Sequence, residues 1–254
     1  MMRRQEIQES IYQYISEQMN CRVKDLYAGG TVFVEARNKT PKYIKILSVQ
    51  DTNIVAISSD LFPEVTRHLD GKNRDELYES DYVFGQTLHY IPDIKQMQPW
   101  PFPEEYTFEL LTGDEIEKLK GIQGFDNSLS FDEDGNTPTC IVLYAKKDEQ
   151  IIALAGASYV PQNPCTSTGG LNETMSNQHC LREVGIDVQR EFRGKKLASL
   201  LVHNLTAELL RQGKIPFYSA SVTNIASQAV AIRSGYMPLW TDTFGVRDIW
   251  KSGK

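Results

Sequence analysis

The sequence lacks the features that mark membrane, secreted and nucleic-acid-binding proteins. No apolar run approaches the ~18 residues of a membrane-spanning helix, and the basic start of the chain leads into no apolar segment of a secretory signal. The four cysteines are scattered without a CxxC pair, which predicts reduced thiols and a cytoplasmic protein. A net charge of −6 argues against a dedicated nucleic-acid binder. We therefore expect neither a membrane nor a nucleic-acid partner.

Metal-binding and nucleotide-binding motifs are also missing. The four histidines show no metal-ligand spacing and HExxH is absent, so no metal is expected. The patterns GxxxxGK[ST] and GxGxxG do not occur around the basic turn at residues 190–198. Their absence disfavours a P-loop nucleotide site and a dinucleotide-binding fold there.

Positive charge is concentrated in the last third of the chain. Of the 254 residues, 41% are hydrophobic, which is ordinary for a globular protein with room for a sizeable core. Residues 1–180 carry a net charge of −11 and residues 181–254 carry +5. Four of the eleven Lys and Arg residues after position 180 lie between Arg190 and Lys196. This local excess of positive charge is the first indication of a functional site.

A run of prolines divides the chain. Four prolines fall between Pro92 and Pro103, a density that neither a helix nor a central strand sustains. We predict a linker over residues 92–104, a smaller N-terminal α+β region over 1–91 and a C-terminal domain over 105–254. The N-terminal region carries no recognisable catalytic motif.

Periodicity places helices and strands on both sides of this linker. Before it, the pattern predicts a helix at about 4–20, strands at 31–36, 43–48 and 53–58, and a helical stretch at 62–79. After it, the pattern predicts strands at 107–111, 181–188, 215–222, 236–240 and 244–250, a hairpin at 140–160, and helices at 195–212 and 224–233. The polar stretch 161–179 is expected to be a long loop. The fold class is α+β or mixed α/β.

The basic turn precedes a helix start that is suited to an anion. No Ser, Thr, Asp or Glu cap occurs between Phe192 and Ala198, although the first turn of a helix has unpaired N–H donors and partial positive charge. An anion accepts those donors, Gly194 permits close backbone approach, and Ala198 keeps the first turn thin. A solvated basic turn that binds nothing is the alternative.

These residues resemble the GNAT superfamily of acyl-CoA-dependent N-acetyltransferases. The pattern R-G-x-G-x-G/A is represented by Arg193 to Ala198, and Asn224 to Tyr236 is similar to the family segment N-x-x-A/S…G-F/Y. The resemblance covers roughly residues 107–246 and implies a central mixed sheet with flanking helices. The added N-terminal region is similar to that of a bacterial subgroup.

The resemblance implies acetyl-CoA as cosubstrate, held in a V-shaped opening between the strands 181–188 and 215–221. The residues implied to bind it, by backbone or side chain, are Ile186, Val188, Arg190, Arg193, Gly194, Lys195, Lys196, Leu197, Ala198 and Asn224. Asn224 is alternatively no more than a helix cap.

Acyl transfer to an amine needs a base, an oxyanion site and an acid for the leaving thiolate. Glu183 and Asp187 share one face of a strand, and Glu183 is the predicted base, with a salt bridge to a neighbour such as Arg182 as the alternative. Tyr236 is the predicted acid by its place in the family layout, with Tyr218 as a second candidate. Both tyrosines are alternatively core aromatics.

Two departures from the family pattern leave the function open between classes. Lys196 replaces the second glycine of the turn, and Ala231 stands where many members have a tyrosine acid. The predicted function is transfer of an acetyl group from acetyl-CoA to a primary amine of a small molecule or peptide. The alternatives are a CoA-binding regulatory module without catalysis and an anion sensor unrelated to CoA. The N-terminal region either covers the acceptor side together with the loop 161–179 or serves packing and oligomerisation, so a homodimer stays open.

Overall fold

The computed structural model describes residues 3–37, 41–160 and 180–246. The predicted loop at 161–179, with Cys165 and His179, lies outside the described residues, as does the predicted last strand beyond Val246. Every structural statement below concerns the described ranges.

Within these ranges ten strands form one mixed sheet. The strands are β1 Gly30–Glu35, β2 Ile44–Val49, β3 Thr52–Ile57, β4 Val83–Pro92, β5 Thr107–Thr112, β6 Thr139–Lys147, β7 Gln150–Tyr159, β8 Leu181–Val188, β9 Ile215–Ser221 and β10 Tyr236–Val246. Their order across the sheet is β1-β3-β2-β10-β4-β9-β8-β7-β6-β5. The pairs β1·β3 and β8·β9 are parallel and the others are antiparallel. This is the mixed α/β class that the sequence predicted.

Helices cover both faces of the sheet. They are α1 Arg4–Met19, α2 Phe62–Leu69, α3 Arg74–Tyr78, α4 Leu197–Arg211 and α5 Ile225–Arg233. Phe217 of β9 packs in the cluster that contains α1, whereas Tyr218 packs in the cluster that contains α4. Because adjacent residues of a strand point to opposite faces, α1 and α4 lie on opposite sides of the sheet. We call these sides the α1 face and the α4 face.

Local patterns explain most of these elements. In α1, Ile7, Ile11 and Ile15 are buried at helical spacing, and Asn20 ends the helix in the left-handed conformation with φ of 54°. The predicted helices at 4–20, 195–212 and 224–233 and the predicted hairpin are confirmed to within a few residues. The predicted helical stretch at 62–79 is instead two short helices.

The strand β4 was not predicted, although it lies at the centre of the sheet between β10 and β9. Its sequence, VFGQTLHYIP, mixes polar residues, a glycine and a terminal proline, which weakens the strand signal. The strand predicted at 236–240 and the described first residues of the strand predicted at 244–250, as far as Val246, belong to one strand, β10, with a register shift between Pro238 and Trp240. The sheet therefore joins strands from both sides of the proline run, and the division into 1–91 and 105–254 stays a prediction.

The proline-rich segment is docked on α4. The backbone N–H of Trp100 donates a hydrogen bond to Asn204 Oδ1 at 2.8 Å, and Asn204 Nδ2 donates one to the backbone carbonyl of Trp100 at 3.2 Å. The Trp100 ring stacks on His203 with ring centroids 3.9 Å apart. A cavity of about 840 Å³ lies between this segment, α4 and β5, away from the basic turn.

Candidate active site

The parallel strands β8 and β9 separate partway along their length. Their pairing runs from Leu181 opposite Ile215 to Val184 opposite Tyr218. Beyond that point β8 continues against β7 as far as Val188, and β9 continues against β4 as far as Ser221. The divergence leaves a V-shaped opening between residues 185–188 and 219–221. The sheet is thus open at the place where the resemblance put acetyl-CoA.

Peptide groups of β8 line this opening. The N–H and C=O of one strand residue point to the same side, and successive residues alternate. The Ile215 N–H donates to the carbonyl of Cys180, whereas the Gln189 N–H donates to β7. Even-numbered residues of β8 therefore face β9. Ile186 and Val188 direct their peptide groups into the gap, where a ligand with its own amides can pair with them.

The turn after β8 forms a backbone cradle at the start of α4. Gly194 has φ of 79° and Lys196 has φ of 64°, so both adopt the left-handed conformation. Lys196 is the N-cap of α4, and among the described residues no side chain caps this helix. Arg193 Nε donates to the Val188 carbonyl at 3.1 Å, which ties the turn to the end of the strand. Unpaired N–H groups at the helix start and nearby cations suit a phosphate.

The predicted cofactor residues divide by exposure. Arg190, Arg193, Gly194, Lys195 and Lys196 are exposed on the turn. Leu197 is buried in the core, so its side chain supports the turn from below. Ala198 is half-buried, as expected for a thin first turn.

Asn224 caps α5. Its Oδ1 accepts a hydrogen bond from the Ser227 N–H at 3.1 Å, which is the cap role that the sequence left open. The residue is exposed. A contact with the cofactor therefore stays a prediction beside the observed cap.

Glu183 lies at the inner end of the opening on the α1 face. Its carboxylate accepts a hydrogen bond from the hydroxyl of Ser219 on β9. Arg182 points to the opposite face, where its Nε lies 3.1 Å from the sulfur of Cys140 and its guanidinium covers the Tyr159 ring. The alternative in which Arg182 neutralises Glu183 is not what the structure has. Glu183 thus combines a polar neighbour with a position next to the gap.

Asp187 accepts hydrogen bonds from a neighbouring segment of the chain. Its Oδ2 accepts hydrogen bonds from the N–H of Asn127 at 2.9 Å and of Ser128 at 3.0 Å, and from the Ser128 hydroxyl at 2.8 Å. The carboxylate therefore anchors the segment 125–129 across the α1 face of β7 and β8. This use of its lone pairs leaves Glu183 as the better-placed base of the two.

The two tyrosines differ in what their hydroxyls contact. The Thr206 hydroxyl donates a hydrogen bond to the Val202 carbonyl at 2.7 Å. The Tyr236 hydroxyl lies 2.6 Å from Thr206 Oγ1 and therefore donates a hydrogen bond to Oγ1. Burial raises the pKa of Tyr236 far above its ordinary value. Tyr218 sits where β8 and β9 part, with its hydroxyl 2.6 Å from Ser227 Oγ. Tyr236 as the acid stays a prediction, and Tyr218 is better placed at the opening.

Three further polar residues, His89 on β4, Asp242 on β10 and Lys45 on β2, were missed by the sequence interpretation. Asp242 Oδ1 lies 3.1 Å from His89 Nε2, and its Oδ2 lies 2.8 Å from Lys45 Nζ. Burial alone would raise the pKa of Asp242, but the hydrogen bond and charge of His89 and the charge of Lys45 lower it below its ordinary value. No local motif marks these residues, because the sheet brings them together from distant parts of the chain.

Two searches of the described residues bear on metals and membranes. No three His, Cys, Asp or Glu side chains in the described ranges come together in a way that could hold a metal ion. Of the helices in the described part of the chain, none has both the length and the hydropathy of a bilayer span.

Comparison with protein families gives one match. The model of the family described as Acetyltransferase (GNAT) matches residues 94–236. This span contains β5 to β9, α4, α5 and the first residue of β10. No curated protein matches the chain.

Comparison with solved structures gives distant matches. An acetyltransferase of the GNAT family from Colwellia psychrerythraea is 12% identical, with a TM-score of 0.47 over 96% of this chain and 74% of that one. A GCN5-related N-acetyltransferase-like protein from Streptococcus suis is 13% identical, with a TM-score of 0.43 over 95% and 100%. A protein from Salmonella typhimurium, solved with its cofactor acetyl-CoA, is 12% identical, with a TM-score of 0.38 over 55% and 92%. The chain spans 63%, 50% and 56% of the first three matching structures.

Proposed function

Because the chain belongs to the GNAT acetyltransferase family, we propose that it moves an acetyl group from acetyl-CoA directly to a primary amine of a small molecule or peptide. The observation that carries this proposal is the separation of β8 from β9 directly before the basic turn. A gap lined by peptide groups, ending at an uncapped helix start, matches a long ligand that has amides at one end and phosphates at the other.

The residues present fit acetyl-CoA on these structural grounds. The peptide groups of Ile186 and Val188 would hold the pantetheine amides, as an added strand would. The backbone N–H groups from Gly194 to Ala198 would hold the pyrophosphate, with Arg190, Arg193, Lys195 and Lys196 supplying positive charge. Asn224 would approach the cysteamine end while still capping α5. When bound, acetyl-CoA supplies the activated thioester.

The chemical roles follow from the faces of the strands. On the α1 face, Glu183 accepts a proton from the incoming amine, directly or through water. A backbone N–H of β8 in the gap stabilises the oxyanion that forms on the carbonyl. On the α4 face, Tyr218 donates a proton to the leaving sulfur, because it lies where β8 and β9 part and its hydroxyl contacts the rotatable hydroxyl of Ser227. Base and acid then act from opposite sides of the sheet.

The same proposal covers partners and compartment. We place the reaction in the cytoplasm, because the four cysteines are scattered along the sequence without a CxxC pair. The acceptor is an amine, and no nucleic acid or membrane takes part. The N-terminal region contributes α1, β2 and β4 to the α1 face, so it forms part of the acceptor side.

A binding experiment tests the cofactor half of this proposal. Acetyl-CoA is expected to raise Tm, whereas equimolar pyrophosphate raises it much less. The variant R193A/K195A should lose most of that shift. The matched control K24A/R67A removes two exposed cations far from the turn and should keep it. Equal shifts with pyrophosphate and acetyl-CoA would favour the anion sensor instead.

A turnover experiment tests the catalytic half. Release of the CoA thiol is followed with n-butylamine, tyramine, spermidine and a lysine-containing peptide as acceptors. We expect at least one amine to accelerate release well above hydrolysis, and the variant E183Q to lose that acceleration by about 100-fold. Binding without amine-dependent release would favour the regulatory module, for which the replacement of a tyrosine by Ala231 is the supporting observation.

A further inference from the structure

A line of polar side chains crosses the α1 face on five neighbouring strands. It comprises Glu183 on β8, Ser219 on β9, His89 on β4, Asp242 on β10 and Lys45 on β2. His89 is directly opposite Ser219 in the pairing of β4 with β9, and directly opposite residues share a face. We call this line the polar row.

His89 is held in a single orientation within the polar row. Its ring stacks on Trp240 with ring centroids 4.4 Å apart and an interplanar angle of 1°. Its Nε2 lies 3.1 Å from Asp242 Oδ1. A carboxylate accepts and does not donate, so Asp242 requires the hydrogen of the imidazole to be on Nε2. The stack and the carboxylate together fix both the ring plane and the tautomer.

The other ring nitrogen of His89 has no hydrogen-bond partner in the part of the chain that the structure describes. Nδ1 is buried, and among the described residues no group forms a hydrogen bond with it. With the hydrogen on Nε2, Nδ1 carries a lone pair that can accept a proton. Buried polar atoms are almost always satisfied, so an unpaired one requires an explanation. An oriented imidazole with a free lone pair and a carboxylate behind it is the arrangement of a proton acceptor.

Ser219 lies between Glu183 and His89 in the polar row. Ser219 contacts Glu183 on one side, and the Cβ atoms of directly opposite residues such as Ser219 and His89 are about 5 Å apart. A serine hydroxyl donates and accepts at once and rotates freely. It can therefore accept a proton from one neighbour while giving its own to the other.

We propose that the polar row is a proton relay in which His89 receives, through Ser219, the proton that Glu183 takes from the acceptor amine. The N–H bond of the amine breaks and an O–H bond forms on Glu183. That proton passes to Ser219, whose own proton moves to His89 Nδ1. Glu183 is again a carboxylate, Ser219 a hydroxyl and His89 an imidazolium paired with Asp242. His89 is a positioning and relay residue, and this inference rests on the proposed function.

Four titratable groups lie around His89. Asp242 is the charged group next to it from β10, Lys45 faces Asp242 from β2, and Glu183 lies on β8 beyond Ser219. From α1, Tyr14 lies near both carboxylates: burial raises its pKa, and the charges of Glu183 and Asp242 raise it further. A phenol kept neutral adds no charge. A carboxylate therefore lies at each end of the Ser219–His89 pair, Glu183 next to Ser219 and Asp242 next to His89.

The test combines variants with a pH profile of CoA thiol release, using the best acceptor of the amine panel. H89Q is expected to lower kcat/KM about 100-fold through kcat, and to change the shape of the pH profile, because the relay then lacks its imidazole. H68Q is the matched control and should behave as wild type, since His68 lies on α2, outside the polar row, and contacts Tyr82. S219A is expected to lower kcat by a similar factor. The double variant H89Q/S219A should lower kcat no further than either single variant does, because both substitutions interrupt the same relay.

The outcomes separate this inference from the function on which it rests. A normal Tm shift with acetyl-CoA shows that H89Q is folded. If H89Q does not fold, ¹⁵N NMR spectra of the wild-type imidazoles provide the test, because the relay requires His89 to be the Nε2–H tautomer. A kcat/KM for H89Q within twofold of wild type, or a His89 with its hydrogen on Nδ1, overturns the relay and leaves acetyl transfer standing. A wild-type protein that binds acetyl-CoA but acetylates no amine overturns both.

Discussion

Gly156 on β7 and Gly185 on β8 lie directly opposite each other, and the backbone of residues 127–128 passes over both. A Cβ on Gly156 would overlap the Ser128 carbonyl, and a Cβ on Gly185 would overlap that of Asn127. The segment approaches this closely because Asp187, two residues beyond Gly185, accepts hydrogen bonds from both of its N–H groups. The pair of glycines therefore sets how near the segment comes to the inner end of the opening.

Replacing Gly185 by alanine is expected to destabilise the protein by about 3 kcal/mol, because the neighbouring atoms are backbone and must shift. The measurement is urea unfolding. The control G71A adds a Cβ in open space at φ of 75°, so the free energy of unfolding should fall only by the left-handed strain of about 1 kcal/mol. Equal losses for the two variants would mean that segment 125–129 yields easily and does not shape the opening.

Lys196 occupies a left-handed position that glycine adopts without strain. K196A and K196G remove the same charge, so their difference isolates the backbone. We expect K196G to be more stable than K196A by about 1 kcal/mol, while both weaken acetyl-CoA binding to the same extent. Tm and calorimetric titration with acetyl-CoA measure the two effects. Tighter binding by K196G than by K196A would instead show that the left-handed strain at this turn opposes the bound conformation.

Much of the candidate site was predictable because its signals are local. The strand that ends at Val188, the uncapped helix start and the cations of the turn are all within about ten residues of one another, so charge and helix-capping rules suffice to find them. The same locality explains why α1 and the hairpin β6–β7 were found.

The rest of the site depends on strand pairing between distant positions. His89 and Asp242 are separated by 153 positions in the chain. Neither segment contains a local sequence signal for the strand register that brings the two residues together. His89 lies on β4, and the polar residues and the proline of this segment do not predict a central strand. Asp187 is similar: its strand position was predicted, but its partners at residues 127–128 lie 59 and 60 positions away.

Tyr218 and Tyr236 are distinguished by a pair of phenylalanine variants. Each loses one buried hydrogen bond, so each is expected to lose about 1 kcal/mol of unfolding free energy. Only Y218F should also lower kcat, by about 100-fold, because its hydroxyl lies where β8 and β9 part. Thiol release at saturating acetyl-CoA measures this. A loss of kcat confined to Y236F would restore that residue, the acid predicted from the sequence, to the role.

Asp242 links the polar row to acid stability. Burial alone would raise its pKa, yet the hydrogen bond and charge of His89 and the charge of Lys45 hold it below the ordinary value in the folded state. A carboxyl whose folded pKa is depressed stabilises the protein above its unfolded pKa of about 3.9, and this contribution is lost as the pH falls through the folded value. In urea unfolding from pH 6 to 2.5, wild type is therefore expected to be more stable than D242N at pH 6, with the gap closing below about pH 4. Carboxyls elsewhere in the chain titrate in both proteins and cancel in the difference. A gap that stays constant across this range would show that Asp242 contributes shape and hydrogen bonding rather than charge, and would remove the ionic support that the imidazolium of His89 requires.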